Sequence, residues 1–135
     1  MAGEICMAKT IRQTVTLEAP PAEVFAMLMD SRKHSRFTGS PASISKRQGG
    51  AVSAYDGYAT GINLKLVAGK QIVQTWRASD WPEGVMSTVT YLLEKVSGGT
   101  KLRFTQTGVP DGATEAIRRG WRDFYWTPLK AALKR

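Results

Sequence analysis

The chain has one cysteine and one histidine among its 135 residues. That scarcity excludes an internal disulfide and a Cys/His zinc cluster, and it leaves most hydrolase and metalloenzyme chemistry without its usual side chains. No stretch approaches the roughly 18 consecutive apolar residues of a membrane span, and the N-terminus lacks a basic segment followed by an apolar run. A cytoplasmic protein with no membrane span is therefore expected. Acidic residues are also in deficit, eleven Asp plus Glu against nineteen Lys plus Arg, for a formal charge of +8. Such a charge favours solubility and inclines the surface towards acidic partners without naming one. What is present, 42% hydrophobic and 22% charged residues, suits one domain that buries roughly two-thirds of its unfolded surface without metal or disulfide.

Residues 1–10 read as a disordered leader, with Met7-Ala8-Lys9-Thr10 resembling a second start, and residues 11–135 as the single domain. Cys6 lies in the leader, where a neutral role outweighs a redox one. Ile11, Val15 and Leu17 alternate with polar residues as in a half-buried strand. Ala19-Pro20-Pro21-Ala22-Glu23 ends it and opens a helix, because Pro is pre-organised for the first turn and a carboxylate there meets the positive end of the helix dipole. Val24, Phe25 and Leu28 form the buried stripe. Asp30 to Gly39 reads as a polar connector or second short helix, with His34 on its surface.

Strand patterns then dominate: Ala42 and Ile44, Val52 to Tyr55, Tyr58 to Leu66, Gln71 to Arg77, Thr88 to Val96 and Leu102 to Thr107. The short Gly- and Pro-containing turns between them require mostly antiparallel pairing. Asp56-Gly57 signals a two-residue type I′ hairpin. From about Ala113 to Lys134 the period becomes helical, with Ile117, Trp121, Phe124 and Pro128 on one face. Glu115, Arg118, Arg119, Arg122, Trp126 and Lys130 take the other, and Pro128 predicts a kink near Thr127. The parts describe an α+β fold, a curved six- to seven-stranded antiparallel sheet wrapped around a long C-terminal helix.

Particular words in this order carry a resemblance. They are Gly49-Gly50, Tyr55-Asp56-Gly57, Gly61, Leu66-Val67, Lys70-Gln71-Ile72-Val73-Gln74-Thr75-Trp76-Arg77, Asp80-Trp81-Pro82-Glu83-Gly84, Ser87-Thr88-Val89-Thr90, Gly108-Val109-Pro110, Arg119-Gly120-Trp121 and Tyr125. Together they closely resemble the C-terminal-type domain of the activator of the heat shock protein 90 ATPase. The resemblance implies the helix-grip fold of the START-like (SRPBCC) superfamily, whose members commonly enclose a hydrophobic cavity between sheet and long helix. It implies function less directly, since that superfamily contains lipid and hormone binders, aromatase/cyclases and chaperone regulators.

The candidate cavity follows from the strand and helix phases. Trp76, Tyr91, Phe104, Trp121 and Phe124 fall on predicted inward faces, with Tyr58, Ile62, Leu64, Ile72, Val89 and Leu102 completing an apolar lining. Thr60, Gln74 and Gln106 share the same alternation and supply its polar groups. A small apolar ligand is expected to touch Trp76, Trp121 and Tyr125. Plain core packing is the alternative for any one of these residues.

Trp81, beside Glu83 at a hairpin tip, either folds back onto the sheet rim or stands out as a partner anchor. Arg118 and Arg122 belong to a basic ridge that continues through Arg119, Lys130, Lys134 and Arg135. Glu115 and Asp123 are spaced to pair with Arg119. Basic residues without clustered stacking aromatics give no nucleic-acid surface. No catalytic residue, metal ligand or cofactor motif emerges: Gly69-Lys70 lacks the rest of a phosphate loop, and no carboxylate pair is placed for acid-base work. The first reading is therefore a non-catalytic domain binding a small hydrophobic ligand. The second, implied by the resemblance, is an interaction domain for a heat shock protein 90-type chaperone, and an aromatase or cyclase-like enzyme ranks third.

Overall fold

The computed structural model describes residues 8–134. Residues 1–7, with Cys6 and most of the expected leader, lie outside the described residues, as does Arg135. Strand β1 (Ala8–Leu17) begins three residues earlier than its apolar alternation does. Ala8 and Lys9 are exposed yet pair with Pro110 and Val109, so backbone pairing extends the strand where no side chain signals it.

Helix α1 (Pro21–Met29) has Pro in its first turn and buries Val24, Leu28 and Met29. The polar stretch that follows is a true helix, α2 (Ser31–Thr38). Its Lys33 amide donates to the Asp30 carboxylate at 3.0 Å, an N-cap, and Gly39 ends it at a φ of +74°. His34 and Phe37, three apart, are its buried residues.

Six more strands follow: β2 (Ser43–Ile44), β3 (Ala51–Ala54), β4 (Ala59–Val67), β5 (Gln71–Ala78), β6 (Ser87–Val96) and β7 (Gly99–Pro110). They form one antiparallel, curved sheet in the order β1-β7-β6-β5-β4-β3-β2. The Asp56-Gly57 hairpin exists, but its loop runs from Tyr55 to Tyr58 between the paired Ala54 and Ala59. Tyr55, Asp56 and Gly57 all have positive φ, at 52°, 55° and 89°.

On β4 the expected phase is inverted. Ala59 and Asn63 are buried, whereas Ile62 and Leu64 are 46% and 49% exposed and line neither of the cavities described below; Tyr58, in the preceding hairpin, is 41% exposed. Two local demands outweigh the apolar alternation. A Cβ on Gly61 would lie 1.8 Å from the Thr75 carbonyl oxygen, so only glycine fits there. Asn63, one step further on the same face, donates to the Ser45 and Arg47 carbonyls at 2.7 and 2.9 Å and so satisfies the β2–β3 connection.

A single 3₁₀ turn (Asp111–Ala113) leads to α3 (Thr114–Trp121), a wide π turn (Arg122–Trp126) and α4 (Thr127–Leu133). Where a kink is expected near Thr127, the chain has this wide turn ending at Trp126, and a regular α-helix begins at Thr127 with Pro128 in its first turn. A pure α-helix rotates a four-residue row by roughly 40° per step, so Ile117, Trp121, Tyr125, Leu129 and Leu133 would wind off one face. The π turn absorbs an extra residue and keeps all five buried. It also exchanges two predictions: Trp126 is buried and Phe124 is 58% exposed. Pro128 has no N–H to offer the Phe124 carbonyl, and the Tyr55 hydroxyl donates to that oxygen instead.

Candidate functional site

Between the inner face of the sheet and the C-terminal helix lies a cavity of about 320 Å³. Its sheet wall is Ala59 and Trp76, with Tyr55 and Tyr58 from the hairpin at its mouth. Its helix wall is Ala116, Ile117, Gly120 and Trp121, continued by Phe124 and Tyr125 of the π turn. Gly120 presents no side chain to this space, where a Cβ would meet only the Phe124 ring at 3.8 Å, and the wide turn carries exposed Phe124 and buried Tyr125 on the lining. Carbon surface predominates, so the site suits apolar material.

Trp121 is the hub of the wall. Its ring lies 4.5 Å from Tyr125, 5.7 Å from Trp76 and 4.4 Å from Phe104, within the range of favourable aromatic pairs. Its Nε1–H donates to the Gln106 carbonyl oxygen at 2.7 Å. The Gln106 amide donates to Ser87 Oγ at 2.9 Å, and that hydroxyl donates to the Trp76 carbonyl at 2.6 Å. Gln106 therefore fixes the wall from behind and does not face a ligand. Trp126 is held similarly: its Nε1–H donates to Gln13, whose amide donates to the Arg118 carbonyl.

Of the residues expected to meet a ligand, the structure brings Trp76, Trp121, Phe124 and Tyr125 together on the main cavity, Phe124 as an exposed rim. Phe104 is 1% exposed and belongs to the packed core behind Trp121. Gln74 and Tyr91 line a separate inner cavity of about 30 Å³. Gln74 donates to Asn63 Oδ1 at 3.0 Å, so its amide is engaged. Thr60 borders the same inner cavity but is exposed, one position out of phase with Ala59 and Asn63, and is not the buried polar group expected.

His34 also lines that inner cavity, and this corrects its expected surface position: it is 3% exposed. Its Nε2 lies 3.0 Å from the Tyr125 hydroxyl, while Nδ1 is buried with no hydrogen-bond partner among the described residues. Burial pushes the imidazole down to about 4, so the ring is neutral at pH 7. Burial likewise raises the Tyr125 and Tyr91 hydroxyls, and the Tyr55 hydroxyl to about 12. His34, Tyr55, Tyr91 and Tyr125 are thus uncharged around the two cavities. They can exchange hydrogen bonds with a neutral molecule, and no carboxylate stands among the lining residues to make an acid-base pair. Among the described residues no three His, Cys, Asp or Glu side chains could hold a metal ion.

Composition offers no signal for Tyr55, whose role comes from a positive-φ turn and a carbonyl left free by Pro128. For His34 the one available signal is its three-residue spacing from Phe37.

The expected surface sites fare differently. Trp81 is 7% exposed and packs on Trp76 at 5.4 Å, so it folds back onto the rim and is not an exposed anchor. The Arg77 guanidinium holds that loop by donating to the Trp81, Pro82 and Val85 carbonyls at 2.9 to 3.0 Å. Glu83 remains exposed. Arg118 pairs with Glu115 and Arg122 with Asp123, at 3.3 and 3.1 Å, in place of the expected pairing of both acids with Arg119. Among the described residues no helix is long and apolar enough to cross a membrane.

Known proteins resemble this arrangement. The human "Activator of 90 kDa heat shock protein ATPase homolog 1" is 31% identical over 115 residues, which are 85% of this chain and 34% of that one. A Dictyostelium discoideum protein, "Activator of 90 kDa heat shock protein ATPase homolog", is 33% identical over 116 residues, 84% of this chain and 30% of its own length. The chain thus spans about a third of these relatives. A crystal structure of an HSP90 activator from Plasmodium falciparum superposes with a TM-score of 0.86 at 26% identity, covering 92% of this chain and 95% of the other. Residues 18–134 match the family described as "Activator of Hsp90 ATPase homolog 1-like protein", and with that span, this helix-grip fold and these relatives, the chain belongs to that family.

Proposed function

We propose that this domain is a non-catalytic binding module that takes a small, largely apolar molecule between its sheet and its C-terminal helix. The observation that carries the reading is the 320 Å³ aromatic-walled cavity left open at one end. A concave, mostly apolar space of this size with a few polar groups at its edge is the usual form of a small-molecule site. At roughly 0.5 kcal/mol per heavy atom, a two-ring ligand of about ten heavy atoms gains about 5 kcal/mol, a Kd on the order of 0.1 mM. Titration with 2-methylnaphthalene, followed by amide NMR shifts, tests this. Binding at residues around Trp76 and Trp121 is expected, and Gly120→Leu, which projects a side chain into the cavity, is expected to abolish it. Undiminished affinity in a folded Gly120→Leu protein would overturn the reading.

The relatives' names favour a second reading, a contact with a heat shock protein 90-type chaperone made by the domain's surface. Glu83, Arg118 and Arg122 are its candidate residues. Steady-state ATPase rates of the chaperone with and without the domain test it, and loss of any stimulation in Arg118→Glu/Arg122→Glu but not in Gly120→Leu would assign it to the surface. In both readings the domain acts in the cytoplasm.

A further inference from the structure

The inner cavity beside the main one is too small for a ligand and too polar for plain core. It has room for about one water-sized group. Ala59, Trp76 and Tyr125 line both spaces and so form a shared wall. His34 lines it beside that wall, its Nε2 3.0 Å from the Tyr125 hydroxyl, and it is 3% exposed with Nδ1 lacking any partner among the described residues. An orphaned buried ring nitrogen costs roughly 1–3 kcal/mol, and a native core rarely keeps one without a use. No Lys, Arg, Asp or Glu lines the inner cavity, so a charged group entering it would lose its hydration without a counter-charge.

We infer that the ligand of the main cavity is amphipathic: an apolar body carrying one neutral polar group, a hydroxyl or carbonyl, that reaches between Trp76 and Tyr125 to the free nitrogen of His34. This rests on the ligand-binding reading above. It adds that the site selects for a single uncharged hydrogen-bonding end. The imidazole suits either polarity. When the Tyr125 hydroxyl donates to Nε2, Nδ1 carries the proton and can donate to a carbonyl, whereas with the proton on Nε2 the free Nδ1 accepts from a hydroxyl. Burial keeps the ring neutral at physiological pH, so it does not recruit a carboxylate by charge.

His34 is the only histidine of the chain, so its imidazole nitrogens give one residue's NMR signals. The test compares 2-naphthol, 2-methylnaphthalene and 2-naphthoate, which share an apolar body, by amide and imidazole shifts of the full chain. The expected result is an affinity about tenfold higher for naphthol than for methylnaphthalene, the value of one hydrogen bond to an otherwise unpaired buried group. Naphthoate should bind more weakly than naphthol, and only naphthol should move the His34 nitrogens. In His34→Leu the tenfold preference for naphthol over methylnaphthalene should vanish. If that variant does not fold, the imidazole shift in the unaltered chain decides. Equal binding of naphthol and methylnaphthalene with His34 unmoved overturns the polar subsite and leaves the apolar cavity standing. Failure of all three to bind overturns the cavity reading and the subsite with it.

Discussion

Acidification from pH 7.5 to 5.0 should destabilise the fold through His34. Its folded-state value lies at about 4 against an ordinary 6.5. A depressed folded value means that the unfolded chain takes up the proton more readily. The stability tied to the neutral ring is therefore fully present above about pH 6.5 and is lost as pH falls towards 4. Proton linkage puts the loss between pH 7.5 and 5.0 at about 2 kcal/mol, with a further ~1 kcal/mol below that. Asp30, the carboxylate that caps the same helix, is held below 3.8 by the Lys33 amide and by Lys46, so it remains ionised across this window. Tyr125 and Tyr91, which share the inner cavity with the ring, stay protonated throughout. Urea unfolding followed by tryptophan fluorescence should show the midpoint falling by about 1 M in the unaltered chain. In His34→Gln, which cannot titrate, it should barely move. A pH-independent midpoint in the unaltered chain, or an equal fall in the glutamine variant, would refute the reasoning.

Gln106→Leu should destabilise by about 2–3 kcal/mol, near 10 °C in Tm, because it strands the Trp121 Nε1–H behind the cavity wall; calorimetry measures it. Gly61→Ala should cost roughly 2–3 kcal/mol in urea unfolding, since its Cβ must displace the Thr75 backbone from the neighbouring strand. Tyr55→Phe removes the donor that satisfies the Phe124 carbonyl and should cost about 1 kcal/mol, with faster amide exchange in the π turn. A Tyr55→Phe protein with unchanged exchange there would mean that water serves that carbonyl equally well.

Much of the architecture was legible because burial follows period. Ile72, Val89 and Leu102 are each fully buried as their strands' alternation requires, and the final helix shows its inner face through Ile117 and Trp121. Legibility failed where a backbone demand outweighed hydrophobicity. Gly61 and Asn63 turn β4 over and put Ile62 and Leu64 in solvent. The π turn moves the helical phase by one residue, so Phe124 and Trp126 change places. At the candidate site, Trp76 and Trp121 were readable as large aromatics on inward faces, whereas Tyr125 was named as a ligand contact without a phase to place it. The partners that fix the neighbouring Phe124 and Trp126 were not readable. Gln13, separated from Trp126 by 113 positions, and Tyr55, separated from Phe124 by 69, meet them only across the closed fold.

The sequence by itself determined the α+β order, the antiparallel sheet under one C-terminal helix, the family and the poverty of reactive side chains. These are properties of local period, turn chemistry and residue identity, which survive in a linear string. Tertiary structure alone decided what the scarce groups do. It buried the single histidine against Tyr125, folded Trp81 onto Trp76, withdrew Gln106 into the wall and left an open space beside Gly120. Each of these outcomes depends on which surfaces meet when sheet and helix close, and whether a polar atom is satisfied or orphaned is settled only by that meeting.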